Sequence, residues 1–401
     1  MSEQKAFLKK VHIKNFLSLR NVTLPLKPLT VLVGPNASGK SNILSALRLL
    51  KQTIIVEEPP TVKVIQNCLW AGQPNPVTFQ LHSEIENNPV LYDLKLRSET
   101  ERRFFSEKLF VKNVKIISLQ EGHGEINDES GKNQTMYTCR PDKITLGYAI
   151  KYGNNSATSA FTEYIKEWNF YDFQPEVMGE YFQSLPFGAD PDFAGRQWFH
   201  GSPSLSEDGL TYSKLLSFWH KSAPELFDNV SNSLAASTNI NIGYRTINGV
   251  NRLCLLERYK NPIPVERASD GTLRLIAYYI LLNQYELPPL IAIEEPERNL
   301  HPGVLKEIAY VLERIAERTQ VIITTHSSQL LDTFSSESLS DWLGVLLLHN
   351  PTGLGTEVIN IEEIRHERKA LDSWIIDFGV GSAIFYSELL QDLMEKSEWQ
   401  A

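Results

Sequence analysis

The sequence predicts an α/β fold with a mostly parallel core sheet, an antiparallel β-meander lobe and a helical insertion. Three observations predict it. A short apolar run, LTVLV, leads directly into a glycine-bearing loop and then a segment with helical spacing. From about Val77 to Ile117 apolar and polar residues alternate in short runs, as in an antiparallel sheet with one buried face. The last third alternates helix-like and strand-like segments, the order that yields parallel strands with crossover helices.

The elements follow in order. Phe7 to Val33 reads as two strands, FLKKVHIKNF and LTVLV. Asn42 to Leu50 sets Ile43, Leu44, Leu47 and Leu50 on one face of a helix. PVTFQLHSEI, VLYDLKLR and RFFSEKLFV form the meander, and Gln120 to Asn133, rich in Gly, Glu, Asp and Asn, reads as an exposed loop. Helices with aromatic-rich connections are expected from about Ala157 to Ser237, then two strands, NINIGY and RLCLLERY. GTLRLIAYYILLNQ is a helix, PLIAIEEPE a strand, the stretch to about Arg318 a helix, and QVIITTH a strand. There is no internal repeat and no sustained heptad pattern.

Composition narrows the class. With 401 residues, 42% hydrophobic and 22% charged, the chain is an ordinary globular one, which excludes collagen-like, disordered and coiled-coil proteins. No run of about 18 uncharged apolar residues occurs, and the opening MSEQKAFLKK lacks an apolar signal core, so a soluble cytoplasmic protein with no membrane partner is expected. Cys68, Cys139 and Cys254 are far apart and form no CxxC, so they read as buried or half-buried thiols rather than a disulfide framework or zinc site. The net charge of −9 argues against a polybasic coat for nucleic acid but leaves room for a local basic patch.

Two motifs carry chemistry. Gly34-Pro35-Asn36-Ala37-Ser38-Gly39-Lys40-Ser41 fits GxxxxGK[ST] at every fixed position, with Asn42 continuing into the helix. Its glycines let backbone N–H groups turn toward phosphate oxygens, and the helix adds its positive N-terminal end. Lys40 would reach the β- and γ-phosphates and the Ser41 hydroxyl would coordinate Mg²⁺. A chance glycine turn is the bland alternative, and the strand-loop-helix context weighs against it. The second motif is the apolar strand that ends in Glu294 and Glu295. Beside a phosphate loop the first acid would hold Mg²⁺ and the second would activate water, whereas alone the pair could be a solvated strand end. His326 ends another apolar strand expected to neighbour the first, where it could donate to a γ-phosphate or the attacking water.

These residues together resemble the ABC-type ATPases that include SMC proteins, RecF and the OLD family, and among them the compact bacterial AAA-family ATPases with neither a Toprim domain nor a coiled-coil arm. The resemblance covers about residues 5 to 50 and 262 to 334. It implies an ABC/SMC-head-like P-loop NTPase fold and an ATPase that uses Mg²⁺ to convert ATP and water to ADP and phosphate. Gly34 to Asn42 resemble the ATP-binding Walker A segment. Glu294, standing where many relatives have Asp, and the catalytic Glu295 resemble Walker B. Arg298, Asn299, Leu300 and His301 resemble the D-loop, and His326 the switch histidine. Glu266 to Thr272 resembles the signature motif, whose Ser269, Asp270, Gly271 and Thr272 would act in trans in an ATP-bound homodimer. Asp270 departs from the Gly-Gly of transporter and SMC forms. Gln174 and Gln183 both remain open as the Q-loop residue.

The resemblance divides the single head, 1–401, into N-terminal strands and Walker A (1–60), an antiparallel β lobe (61–150), a helical insertion (151–237), and a signature, Walker B, D-loop and switch-histidine lobe with a C-terminal extension (238–401). It implies that ATP-dependent dimerisation or conformational change acts on DNA or on a separate effector or nuclease protein, in DNA repair or anti-phage defence. The stretch after His326 is too short for a Toprim domain and lacks a DxD cluster, so nuclease activity would reside in a separate partner. A transporter subunit is disfavoured by the long interval between Ser41 and Ser269, and an SMC arm by the strands and aromatic loops within it. An ATP-binding assembly scaffold or sensor with little turnover is the alternative from another class. Lys5, Lys9, Lys10, Lys14 and Arg20 form the candidate DNA patch, or else a solvated strand face.

Overall fold

The computed structural model describes residues 6–386 except 100–101, 140–142, 154, 184–203, 258–260, 336–338, 340–341 and 352–353. Lys5 of the candidate patch and the side chain of Gln183 lie outside the described residues. Two compact units emerge: Met1–Trp168 with Pro288–Ala292 and Glu317–Ala401, and Asn169–Leu287 with Ile293–Ala316.

The first unit is organised on a mostly parallel sheet. Leu290–Glu294, of which the first three residues belong to this unit, is followed across the sheet by Gln320–Thr325, Leu29–Val33, Leu343–His349 and Glu357–Asn360. Leu29–Val33 pairs in parallel with both neighbours, so that Val33 stands opposite Thr325 on one side and Leu347 on the other. Every residue of Leu29–Val33 and of Gln320–Thr325 is buried, as a strand covered on both faces requires. The helix Lys40–Val56 buries Ile43, Leu44, Leu47 and Leu50, the face that the sequence spacing predicts.

The meander is an eight-stranded antiparallel sheet in the order Leu19–Pro25, Ala6–Phe16, Val77–Ile85, Asn88–Glu99, Arg102–Val111, Val114–Gln120, His123–Ile126 and Thr135–Thr138. Two expectations are corrected here. Phe7 to Val33 holds three strands, because Leu17 at φ 47 turns the chain back and Leu19–Pro25 pairs with Ala6–Phe16. The expected loop from Gln120 contains the strand His123–Ile126, in which only Ile126 is buried, so backbone pairing rather than an apolar pattern holds it.

Buried polar side chains tie this unit together. The Gln320 side chain accepts from Leu8 N at 3.0 Å, donates to Leu8 O at 2.9 Å and accepts the Tyr164 hydroxyl at 3.1 Å, linking the two sheets and the helix Ser156–Lys166. Glu107 is fully buried and accepts from Tyr92 Oη at 2.9 Å, Thr145 N at 2.6 Å and Leu146 N at 3.1 Å. Burial outweighs those donors and pushes its carboxyl up to about 7.

The second unit is mainly helical: Pro175–Gln183, Tyr212–Ser222, Pro224–Thr238, Asp270–Asn283 and Leu305–Ala316. The strands Ile240–Ile247 and Val250–Glu257 form an antiparallel hairpin across Asn248-Gly249, both at positive φ as a tight hairpin turn demands. Asp270–Asn283 is buried continuously from Leu273 to Leu281, so it is the unit's core helix, and Tyr279 Oη donates to Glu307 at 3.1 Å. Among the described residues no helix is long and apolar enough to cross a membrane. Cys254 is buried and Cys68 and Cys139 are half-buried, as expected.

Candidate nucleotide site

In the first unit, the buried strand Leu29–Val33 ends at Gly34 and the helix Lys40–Val56 begins six residues later, with Pro35, Asn36 and Ala37 exposed between them. Gly39 caps the helix at φ 105, a left-handed conformation that costs glycine least. A Cβ there would also fall 2.2 Å from Thr356 Oγ1. Lys40 is buried and donates from Nζ to Gly34 O at 2.8 Å and Pro35 O at 2.9 Å. The ammonium is thus held over the loop by carbonyls, which phosphate oxygens can replace. Ser41 is exposed in the first helical turn, whereas Ser38 is buried and its Oγ has no hydrogen-bond partner.

The loop is braced from segments distant in sequence. Asn42 Nδ2 donates to Ser18 Oγ at 2.8 Å, Ser18 and Thr356 hydroxyls meet at 2.7 Å, and Thr356 Oγ1 donates to Ser38 O at 3.0 Å. Asn350 Nδ2 donates to Ala37 O at 3.1 Å. His326 is exposed immediately after Thr325, whose register partner Val33 immediately precedes Gly34, so the histidine and the phosphate loop leave adjacent strand ends.

The acidic motif belongs to the second unit. Glu295 has φ 44, a left-handed conformation that an ordinary side chain adopts only when its surroundings over-determine it. Its carbonyl accepts from Arg298 N at 3.0 Å, which closes the turn into Arg298–His301. Arg298 Nη2 lies 2.7 Å from Asp172 Oδ1. His301 Nδ1 accepts from Gly303 N at 3.0 Å, a local cap. Ser269 is the N-cap of Asp270–Asn283, accepting from Thr272 N at 3.3 Å. Asp270 accepts from Asn299 Nδ2 at 3.2 Å, so its carboxylate is engaged by the neighbouring turn, and Ser269 and Asp270 are both exposed.

Comparison with known proteins matches the segments that carry the two motifs to two AAA-type family models. Residues 7–167 match a family model described as "AAA ATPase domain", and residues 152–332 one described as "AAA domain, putative AbiEii toxin, Type IV TA system". The Old nuclease of Escherichia phage P2 is 24% identical over 347 residues, covering 81% of this chain and 57% of that protein. The OLD nuclease of Thermus scotoductus is 51% identical over 43 residues, 11% of this chain and 8% of that protein. The chain therefore spans less than two thirds of the length of either relative. A solved SMC head bound to the C-winged helix domain of ScpA superposes with a TM-score of 0.53 at 14% identity, covering 89% of this chain and 99% of that one. An SMC head with an extended coiled coil, bound to the C-terminal domain of ScpA derived from Pyrococcus furiosus, gives 0.50 at 12% identity, covering 92% and 99%.

The fold is that of an SMC-head-like P-loop NTPase, and the sequence is similar to AAA ATPase domains and to OLD nucleases.

The first unit brings together Gly34 to Asn42 and His326, and the second brings together Ser269 to Thr272 with Arg298 to His301. Gln174 follows the strand Asn169–Tyr171 and its Nε2 lies 3.4 Å from Asp172 Oδ2, the carboxylate that also holds Arg298. Sequence reasoning missed Ser18, Asn350 and Thr356, because nothing in their local pattern marks them; only the fold brings them to the loop.

The basic patch is rearranged. Lys10 and Lys14 share one face of Ala6–Phe16 and are exposed, with His12 between them and His82 opposite Lys10. Burial, then the charge of Lys14, holds the His12 imidazole below its usual value. For His82 burial acts first and Lys10 second. Lys9 instead pairs with Glu84, and the Arg20 guanidinium lies 5.1 Å over the Trp70 ring, apart from the lysines.

Proposed function

We propose that this protein binds ATP with Mg²⁺ at Gly34 to Asn42, closes into a homodimer across the signature residues Ser269 to Thr272, hydrolyses ATP with Glu295 as base and His326 on the γ-phosphate, and uses the cycle on DNA in repair or anti-phage defence. The observation that carries the reading is the phosphate loop itself. Lys40 is stationed on two exchangeable carbonyls, and Ser38 Oγ is buried with no partner in the same loop, where a phosphate oxygen would accept from it.

Ser41 and Glu294 would hold the metal. Among the described residues no group of three or more His, Cys, Asp or Glu could bind an ion unaided. That suits Mg²⁺, which keeps waters and phosphate oxygens as most of its ligands. When bound, it would neutralise charge developing on the β- and γ-oxygens. Glu295, fixed in its strained turn, would take the proton of the attacking water. The exposed Ser269 N-cap offers a helix start to the γ-phosphate of a partner subunit. Asp270, engaged by Asn299, is turned to its own turn.

DNA as the target is supported by the face carrying Lys10, Lys14 and Lys95, none of which forms an ion pair with a carboxylate among the described residues.

The test is single-turnover ATP hydrolysis by wild type and Glu295→Gln, with dimer mass followed by light scattering. Wild type should hydrolyse ATP, and the variant should bind ATP, lose at least about 100-fold in rate, and accumulate as dimer. Equal, negligible hydrolysis in both would overturn the enzyme reading in favour of an assembly scaffold. DNA is tested by fluorescence anisotropy: affinity should fall steeply with salt and drop in Lys10→Glu/Lys14→Glu.

A further inference from the structure

Arg20 and Trp70 make a pair that the phosphate chemistry leaves unused. The Arg20 guanidinium stands 5.1 Å above the centroid of the half-buried Trp70 indole, and Arg20 is itself exposed. It forms no ion pair among the described residues, so its charge is not spent on a carboxylate of its own unit. Arginine stacked on an aromatic ring keeps its outer face free for a second planar group.

The pair is fixed relative to the phosphate loop by two consecutive residues. Gly355, at φ 88, packs so closely that a Cβ would lie 2.9 Å from Arg20 Cβ, 3.1 Å from Trp70 Nε1 and 3.0 Å from Ser18 O. The next residue, Thr356, donates its backbone N–H to Ser18 O at 2.7 Å and its hydroxyl to Ser38 O in the loop. One dipeptide, Gly355-Thr356, therefore packs against the stacked pair and hydrogen-bonds the loop backbone. Trp70 is brought there by the bridge between Phe16 and Leu69 and by Leu17 N donating to Cys68 O at 2.6 Å. All of these residues belong to the first unit.

We propose that Arg20, backed by Trp70, is the base-recognition platform of the nucleotide site: the purine of the bound triphosphate stacks on the guanidinium while the triphosphate lies in the loop. This rests on the phosphate-loop reading and adds what the loop lacks, since backbone N–H groups and Lys40 recognise phosphate without distinguishing one base, or the absence of a base, from another. A flat cation over an indole reads a π-face rather than a pattern of donors, so ATP and GTP should both use it.

The experiment is calorimetric titration of full-length wild type, Arg20→Ala, Trp70→Phe and Trp70→Leu with MgATP, MgGTP and magnesium tripolyphosphate, with thermal melts to confirm folding. Arg20→Ala should weaken ATP and GTP by about tenfold, the scale of one base stack, and leave tripolyphosphate unchanged. Trp70→Phe keeps a ring under Arg20 and should stay within about threefold of wild type; Trp70→Leu should follow Arg20→Ala. Equal losses for ATP and tripolyphosphate, or undiminished ATP affinity in Arg20→Ala, would overturn the platform while leaving the loop intact. Wild type that binds neither ATP nor tripolyphosphate would overturn the loop reading and the platform with it. If Trp70→Leu fails to fold, Arg20→Ala alone decides.

Discussion

The phosphate loop and the signature turn are both helix starts, yet they are supported in opposite ways. The helix Lys40–Val56 has no side-chain cap; its loop is held by a relay from Asn42 through Ser18 and Thr356 to Ser38, with buried Lys40 folded onto it. The helix Asp270–Asn283 is capped by its own exposed Ser269, and its second contact is one exposed hydrogen bond from Asn299 to Asp270. The first is a shaped receptacle whose geometry is set before a ligand arrives. The second is a local turn that is cheap to re-form against something new, as the proposed contact with a second subunit requires.

Lys40→Ala should break the first region most severely. It removes the side chain held over the loop and should abolish detectable ATP binding by calorimetry, an effect above about 100-fold given the charge it would neutralise; retained affinity would mean that the relay-held backbone suffices.

A buried group elsewhere in the first unit gives a pH readout. Burial disfavours the charge of Glu107 and pushes its carboxyl up to about 7 in the folded protein, from an ordinary 4.5. The folded state holds the proton more tightly, so this carboxyl's contribution to stability is full below about pH 4.5 and is lost as pH rises through about 7, by roughly 3 kcal/mol at most. Thermal melts from pH 5 to 8 should show that decline in wild type and a flatter profile in Glu107→Gln.

Thr356→Val sharpens the comparison directly. It deletes the relay's last donor while keeping shape, leaves Ser38 O and the Ser18 hydroxyl short of a partner, and should cost about 1–3 kcal/mol together with ATP affinity. Melting and titration of the same sample check both.

Asn299→Ala is the mildest. Losing one exposed hydrogen bond to Asp270 should change stability by less than about 1 kcal/mol, and ATP binding to the monomer should not move. An Asn299→Ala protein that melts as early as Thr356→Val would remove the distinction between fixed and adjustable halves.

Much of this was legible in the residues. LTVLV followed by GPNASGKS announces strand, loop and helix because both the period and the loop chemistry are local, and the same holds for the apolar strand before Glu294. The strands Leu19–Pro25 and His123–Ile126 were not legible: their side chains are largely polar, and backbone pairing to neighbours supplies what an apolar stripe does not. Nor could the relay be foreseen, since a serine at 18 and a threonine at 356 meet only after the sheet closes. Arg20 reads in the sequence as one more cation on a basic strand, and only the fold sets Trp70 beneath it.

The position of Leu29–Val33 has a consequence for biosynthesis. Both of its neighbours in the sheet, Gln320–Thr325 and Leu343–His349, come from the far end of the chain, and Leu8 waits for a partner 312 residues away. At the usual elongation rate the ribosome needs roughly 15–60 s to make that interval. During that time a strand apolar at nearly every position has neither of its partners, and the loop after it cannot be shaped to receive phosphate. Nucleotide therefore cannot help the nascent chain fold until Leu343–His349 has emerged, and through that interval the apolar surface of Leu29–Val33 needs other cover.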